Sequence, residues 1–348
     1  MTRHTFLALG QGLAASLVIS SAAAQSVSIN YDRLSSLEEP LAAALGKVTV
    51  TATGVLDAPL GIDLMSGSEQ DVNAGFLGNI ELAASTQLRN RWNVQVRYFA
   101  QYDSDPGASI LGLGGGAAPD EYSDNVVGVI FGAWGSVIGG NTANLVREQT
   151  RRLRGAGNGA LAFDQTYGQL SDWGGAYVGQ FGPARLSAGV DEDGNFDIGA
   201  SWSRPLGNKD YRFTLRYTNA DYVSGDGLAA FDTSSILALG EFTYGSGVYD
   251  VGVGYEDLSS AATDLERWYI SSGARYKIGA LTASLEGHYG RVGDEPEVSA
   301  ALGVQYDIAR GLSLNVGINH ADAQLIQNSV TVIDRKATEA LFSLRYSY

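Results

Sequence analysis

Four arginines fall close together, at Arg147, Arg151, Arg152 and Arg154, with Glu148 among them. On a helix, Arg147, Arg151 and Arg154 stand at i, i+4 and i+7 and share one ridge, while Glu148 reaches Arg152 at i+4. Gly155, Gly157 and Gly159 follow, end such a helix and let the chain turn back. A row of guanidinium groups attracts anions and orders water around them. Asp164 and Asp172 are the other acids of this stretch.

A second cluster is Asp191-Glu192-Asp193-Gly194-Asn195. Its oxygens suit calcium, a hard cation, but the terminal Glu of an EF-hand loop is missing and a plain hairpin turn is the preferred reading. Gly112 to Gly116 is not a nucleotide loop, because no helix follows it. The chain has no cysteine, which excludes thiolate metal sites and cysteine nucleophiles, and it contains neither G-x-S-x-G nor H-E-x-x-H. With 23 basic against 38 acidic residues it lacks the basic footprint of a nucleic-acid binder. No metal or organic cofactor is expected beyond calcium at such an acidic turn.

The elements that must position these groups come from periodicity. Residues 1–24 read as a secretory signal, with Arg3 and His4 ahead of an apolar stretch and Ala22-Ala23-Ala24 as the cleavage site; a buried N-terminal helix is the alternative. Residues 25–45 form an extension, in which Ser36 and Glu39 fit a capping box. From there to the end, apolar and polar residues alternate with period two, the mark of strands. Phe76, Gly78, Ile80 and Leu82 face one side, and Asn79, Glu81, Ser85 and Gln87 the other. Sixteen such runs are expected: 46–57, 75–89, 91–103, 124–132, 135–141, 174–181, 184–191, 195–204, 210–220, 234–245, 247–258, 265–277, 280–291, 297–307, 311–320 and 335–348. Short connections alternate with longer ones, among them 58–74, 104–123, 142–173, 221–233 and 321–334. That is a meander with one plain rim and one elaborate rim, and an even strand count closes it into an antiparallel barrel.

The rival is a soluble β-sandwich or solenoid. Two features argue for a transmembrane barrel. The polar faces carry residues that a soluble core could not bury, such as Arg212, Thr214, Arg216 and Thr218 alternating with Tyr211, Phe213, Leu215 and Tyr217. Aromatics also sort by height: Trp92, Tyr211, Tyr249, Tyr276 and Tyr306 near the plain rim, Phe76, Tyr102, Tyr217, Trp268 and Tyr289 near the other. Rings at both interfaces are the girdles of a membrane barrel. The glycine excess, 45 residues in 348, then reads as wall packing against bulky neighbours.

On this frame the arginine stretch is the third connection of the elaborate rim, 142–173. Folded inward it forms a basic constriction built from Arg147, Glu148, Arg151, Arg152, Arg154 and Asp164. A solvated surface helix, or a clamp on lipopolysaccharide phosphates, is the plainer alternative. A constriction field needs opposing charges. By parity the lumenal wall offers Glu81, Glu241, Asp250, Glu286 and Glu297, and the bases Lys47, Arg89, Arg97, Arg185, Arg212, Arg216, Arg275 and Arg345. His288 lies on the lumenal face, the wrong face for a lipid-side hydrolase.

The strand count, the hairpin Val126–Gly140, the long connection after it and the closing alternation Ala340, Phe342, Leu344, Tyr346, Tyr348 resemble the general diffusion porins of Gram-negative outer membranes, most of all the alphaproteobacterial kind. The resemblance covers residues 46–348. It implies a sixteen-stranded barrel whose third loop folds into the lumen, a homotrimer of separate water-filled pores, contact with outer-membrane lipid and lipopolysaccharide, and reading of the C-terminal strand by the barrel-assembly machinery. The function it implies is passive diffusion of small hydrophilic solutes and ions, without catalysis. A porin selective for sugars or organic anions, and a structural or adhesive barrel, are the alternatives.

Overall fold

Alternation of this kind has to put one face of every strand in one solvent and the other face in another. The computed structural model describes residues 41–64, 72–104, 121–143, 145–152, 155–171, 173–223, 230–261, 263–327 and 330–348. The signal segment 1–24 and residues 25–40 of the extension lie outside them. The strands are β1 (Leu41–Leu45), β2 (Val48–Asp63), β3 (Val72–Ala74), β4 (Leu77–Gln87), β5 (Asn93–Asp103), β6 (Glu121–Gly132), β7 (Gly135–Asn141), β8 (Trp173–Phe181) and β9 (Ala184–Asp191). They continue as β10 (Phe196–Leu206), β11 (Lys209–Val223), β12 (Ala230–Tyr244), β13 (Gly247–Ser259), β14 (Asp264–Ile278), β15 (Leu281–Val292), β16 (Glu295–Ala309), β17 (Leu312–Gln327) and β18 (Val330–Ser347). One short helix, α1 (Leu145–Thr150), precedes β8.

Each strand from β4 to β18 pairs antiparallel with the next, and β18 returns to β2, with Arg345 opposite Asp57 and Phe342 opposite Leu60. β2 pairs in turn with β4, which closes a ring of sixteen strands. β1 and β3 are additions to β2. β1 takes up the stretch of β2 from Val48 to Ala52 that β18 does not reach, and Tyr348 and Gly54 exchange backbone hydrogen bonds at the junction. Five residues of the expected N-terminal extension therefore form a strand. The expected connections 58–74 and 321–334 are also shorter than the sequence suggests, because β2 runs on to Asp63 and β17 to Gln327. The plain rim is a series of tight turns that need a left-handed residue; Gly207 (φ +67°) and Gly279 (φ +59°) supply it.

The exposure pattern is inverted relative to a water-soluble protein. Leu285 is 64 % exposed and Phe213 55 %, while Arg216 is 2 % exposed and Glu297 not at all. The apolar faces point outward, where only hydrocarbon can receive them, and the strands pair with their neighbours all the way round the ring. Trp92, Tyr211, Tyr244 and Tyr276 are exposed along one rim, and Phe76, Tyr217, Trp268 and Tyr289 along the other. A barrel with an apolar belt between two aromatic girdles is a protein of the Gram-negative outer membrane. Some glycines serve the wall as expected, with a neighbouring ring laid over them, as Tyr348 covers Gly54 and Phe181 covers Gly179. Others serve the lumen, as described next.

Candidate functional site

The third connection enters the barrel and is bonded to its inner wall along most of its described length. Helix α1 lies against β9, β10 and β11. Its Val146 and Thr150 occupy the space that a side chain at Gly199 would need, and Val146 also approaches Gly189. Leu145 packs on Val127, Val129, Ile138, Ala176 and Val178, the apolar lumenal face of β6 to β8. That face explains why both sides of these strands read as apolar in the sequence.

The helix is shorter than the arginine spacing predicts, ending at Thr150, so the expected ridge does not form. Arg147 is buried and turns back into its own loop, donating from Nε to Gln165 Oε1 (3.0 Å) and from Nη2 to the Thr166 carbonyl (3.4 Å). Burial, then the charge of Arg216, lowers its pKa to about 10, which leaves it a cation at neutral pH. Glu148 pairs with Arg151 at 2.8 Å rather than with Arg152. Two contacts to the wall, one near and one across the lumen, accompany the break in the helix. Arg212 donates to the Arg151 carbonyl (2.7 Å), and Arg152 crosses to Asp250 (2.8 Å) and Glu286 (3.3 Å), with Asp164 at 3.7 Å. The Arg152 guanidinium occupies the space beside Gly273 that a Cβ would fill. Arg154 lies outside the described residues.

Beyond the arginines the loop lies flat on β15 to β18. Ala156 N–H donates to Ser284 Oγ (2.7 Å) and Ala160 N–H to Asn319 Oδ1 (2.9 Å). Asn158 is the knot: its Nδ2 donates to Ser343 Oγ (3.1 Å), its Oδ1 accepts from Arg345 (3.2 Å) and its carbonyl from Asn319 Nδ2 (3.0 Å). Arg345 also holds Asp57 of β2 at 2.6 Å. This close approach is possible because the wall beneath is glycine: a Cβ at Gly303 would strike the Ala156 carbonyl, and one at Gly317 the Asn158 backbone.

The loop's return is fixed by a buried ion network. Arg267 of β14 pairs with Glu297 of β16 (2.6 Å) and Glu256 of β13 (3.3 Å), and donates to the carbonyls of Phe163 and Gln165. Its guanidinium sits 4.0 Å from the Tyr167 ring centre and 4.5 Å from that of Tyr269. Tyr167 donates through its hydroxyl to Glu297 (2.6 Å), and the Tyr167 and Gly168 amides donate to Glu256. Phe163, whose carbonyl Arg267 takes, has φ +66°, an unfavourable conformation for a bulky residue that the network holds in place. Phe231, Leu258 and Val292 form an apolar cluster against which Tyr167 packs.

Within this network Ser271 Oγ stands 2.9 Å from His288 Nδ1, and His288 Nε2 stands 2.6 Å from Glu297 Oε1. That order of groups resembles a hydrolytic relay. Here it is sealed: Ser271 is 2 % exposed and His288 4 %, and Glu297 is already shared by Arg267 and Tyr167. The cavity beside Ser271, Tyr269 and Arg152 is about 10 Å³, room for one water and no substrate.

The wall residues predicted from parity separate into paired groups. Glu81 and Arg97 meet across β4 and β5 at 3.5 Å. Arg212 pairs with Glu241, and Arg216 with Asp197 at 2.7 Å. Glu286 receives Arg152. Arg89 stands in the 88–92 connection on the plain rim rather than in the wall. Asp57, Asp197, Glu256 and Arg267 were not singled out by the sequence, although their parity places them on the lumenal face. Asp191 closes its own turn: its carboxylate accepts from Ser171 N (2.7 Å), Asp193 N (3.0 Å), Asn195 N (2.9 Å) and Asn195 Nδ2 (3.0 Å). Glu192 and Asp193 point to solvent, and among the described residues no group of three His, Cys, Asp or Glu is arranged to hold a metal ion.

No protein-family model matches the chain, and no curated protein matches it in sequence. Solved structures do match in fold. An outer-membrane protein of Vibrio cholerae, OmpT in a trimer form, superposes with a TM-score of 0.62 at 15 % identity, over 87 % of this chain and 100 % of that one. An engineered variant of the Rhodopseudomonas blastica porin superposes with a TM-score of 0.58 at 15 % identity, over 86 % of this chain and 100 % of that one. The fold is that of the sixteen-stranded porins of Gram-negative outer membranes.

Proposed function

We propose that this porin-fold barrel is a channel for the passive diffusion of small hydrophilic solutes and ions across the outer membrane, narrowed by loop 142–173. One observation carries the reading: a closed barrel lined with paired charges holds a connecting loop inside it by hydrogen bonds to β11 and to every strand from β13 to β18. A loop so fixed narrows a bore without sealing it on the side it leaves uncovered, and passage then follows radius and charge, with no chemical step. Arg151, Glu148, Glu81 and Arg97 are the charged groups we assign to the edge of that passage, and Arg147, Arg152 and Asp164 those that hold the loop in position. The trimeric form of the Vibrio cholerae relative supports a homotrimer, and the outward apolar belt supports contact with lipid and lipopolysaccharide.

Planar-bilayer recording tests this. Purified protein is expected to add conductance in discrete, lasting steps. Silent bilayers, or current that saturates at low solute, would overturn diffusion, the latter in favour of a substrate-selective pore. A mass in mild detergent equal to one chain would overturn the trimer.

A further inference from the structure

Loop three meets arginines on the inner wall and brings its own, and they are not equally provided for. Arg151 pairs with Glu148, Arg212 with Glu241 and Arg216 with Asp197. Arg185 bonds Gln149 and Gln180 instead of a carboxylate, but it is exposed and water can serve it. Arg147 differs. It is buried, its acceptors are the neutral Gln165 side chain and Thr166 carbonyl, and the guanidinium of Arg216 lies within range to repel it. Asp164 and Glu148 lie within range too, but their carboxylates are engaged by Arg152 and Arg151. A buried cation with no direct counter-charge is costly.

Three buried polar groups stand beside it without a partner. Arg216 spends Nε and Nη2 on Asp197, and its Nη1 meets no acceptor; Thr166 Oγ1 and Ser235 Oγ are also unpartnered, and all three residues are 2 % exposed. They belong to one neighbourhood. Arg216 and Ser235 sit on the inner faces of adjacent strands, with Ser235 opposite Thr218, which shares Asp197 with Arg216. On its other side Ser235 stands opposite Glu256, which accepts the amide of Tyr167, the residue after Thr166. The Thr166 carbonyl in turn accepts from Arg147.

We infer that this enclosed space, between α1, the loop's return and strands β11 and β12, binds one small monovalent anion of the halide class. Arg216 Nη1, Thr166 Oγ1 and Ser235 Oγ supply hydrogen bonds to it, and the charge of Arg147 is what it balances. A water molecule would satisfy the two hydroxyls and leave that charge uncompensated. Size follows from the packing: the cavity lined by Gln165 and Leu237, the neighbours of Arg147 and Arg216, is about 10 Å³, so the surroundings admit an ion close to water in size and exclude phosphate or an organic carboxylate. The ion lies behind loop three rather than in the open part of the lumen. Its role is to join the loop to β11 and β12, whose other inward charges, Asp197 and Glu241, are already paired.

Bromide tests this on the full chain. Crystals grown in bromide should show an anomalous peak within hydrogen-bond reach of Arg216 Nη1, Thr166 Oγ1 and Ser235 Oγ. In solution, thermal unfolding in detergent at constant ionic strength should shift upward as chloride or bromide replaces gluconate, which is too large for the site. The shift should grow with halide concentration, as for any ligand that binds the folded state alone. Ser235→Ala should weaken the apparent halide affinity about tenfold, the loss of one hydrogen bond to a charged group, and Arg147→Gln should abolish the halide dependence. If Arg147→Gln does not assemble, Ser235→Ala and Thr166→Val carry the test. No bromide at this place, equal unfolding in gluconate and halide, or a bromide peak without any effect on unfolding would overturn the inference. So would a halide effect that Ser235→Ala and Thr166→Val leave unchanged, since that is a bulk effect of the salt. None of these readouts depends on conductance, so the channel reading stands or falls separately.

Discussion

The lumen has two sides that were built differently. From β11 to β17 the inner wall is covered: Thr214, Glu256, Arg267, Glu297 and Asn315 have no exposed surface, and loop three accounts for much of that cover. From β2 to β5 the cover is less complete: Thr49, Thr51, Thr53, Asn79 and Glu81 are partly open, while Asp57, Ala83, Gln95 and Arg97 are buried. On the covered side, charges are paired in a medium from which water has been removed, so each pair has to be geometrically good to survive its own desolvation. Arg267 shows the requirement met in full, by two carboxylates, two carbonyls and two aromatic faces. On the less covered side the pair of Glu81 and Arg97 joins a partly open carboxylate to a buried guanidinium. On the channel reading proposed above, one wall serves position and the other permeation.

Substitutions can break that contrast, and the largest effect is expected at Arg267. Arg267→Ala leaves Glu256 and Glu297 buried without their partner, which should cost about 3–5 kcal/mol and release the loop's return segment. Thermal unfolding in detergent should fall steeply, and bilayer steps should become larger and noisy; a stable variant with wild-type steps would mean the network does not hold the loop. Next is Gly303→Val, which forces the loop off the wall by overpacking and should cost about 1–3 kcal/mol. It should enlarge the single step while the barrel still migrates as folded in unheated electrophoresis. Arg345→Gln removes a charge shared by Asp57 and Asn158, for about 1–2 kcal/mol, and should show as a modest loss of resistance to urea. The smallest effect on stability is expected from Arg97→Gln, which should nonetheless move the reversal potential toward cations more than any of the other three. If Arg267→Ala moved it more, the division between the two sides would be wrong.

Much of the barrel is legible without coordinates because period two is forced on any strand between two solvents. The runs 135–141 and 184–191 match β7 and β9 to the residue. Parity also puts Arg212, Glu241 and Glu286 on the polar face, and each of them pairs with an opposite charge. What parity cannot give is height and partner. Arg267 and Glu297 lie on β14 and β16, which share no ladder, and they meet by reaching across β15, where Arg267 also binds the return of loop three. The arginine ridge was misread for a related reason. Helical spacing says which residues would align if the helix continued, but Arg152 and the Arg151 carbonyl are claimed by wall groups about 60 to 135 residues further along the chain, and the helix ends before them. Lumenal glycines such as Gly273, Gly303 and Gly317 were the available signal: a strand with a missing side chain on its polar face marks where something else must lie.

Asn158 gives the molecule an order of assembly. It comes from the first half of the chain, yet its partners Asn319, Ser343 and Arg345 belong to the last two strands, as much as 187 residues away. Contacts of such separation form late, after the entropy of closing the intervening chain has been met. A sheet without β18 offers loop three only part of its docking surface, and the strand that completes the ring also completes that surface. A barrel caught before closure would thus lack the Asn158 contacts, and the final seating of loop three belongs to the last step of its making.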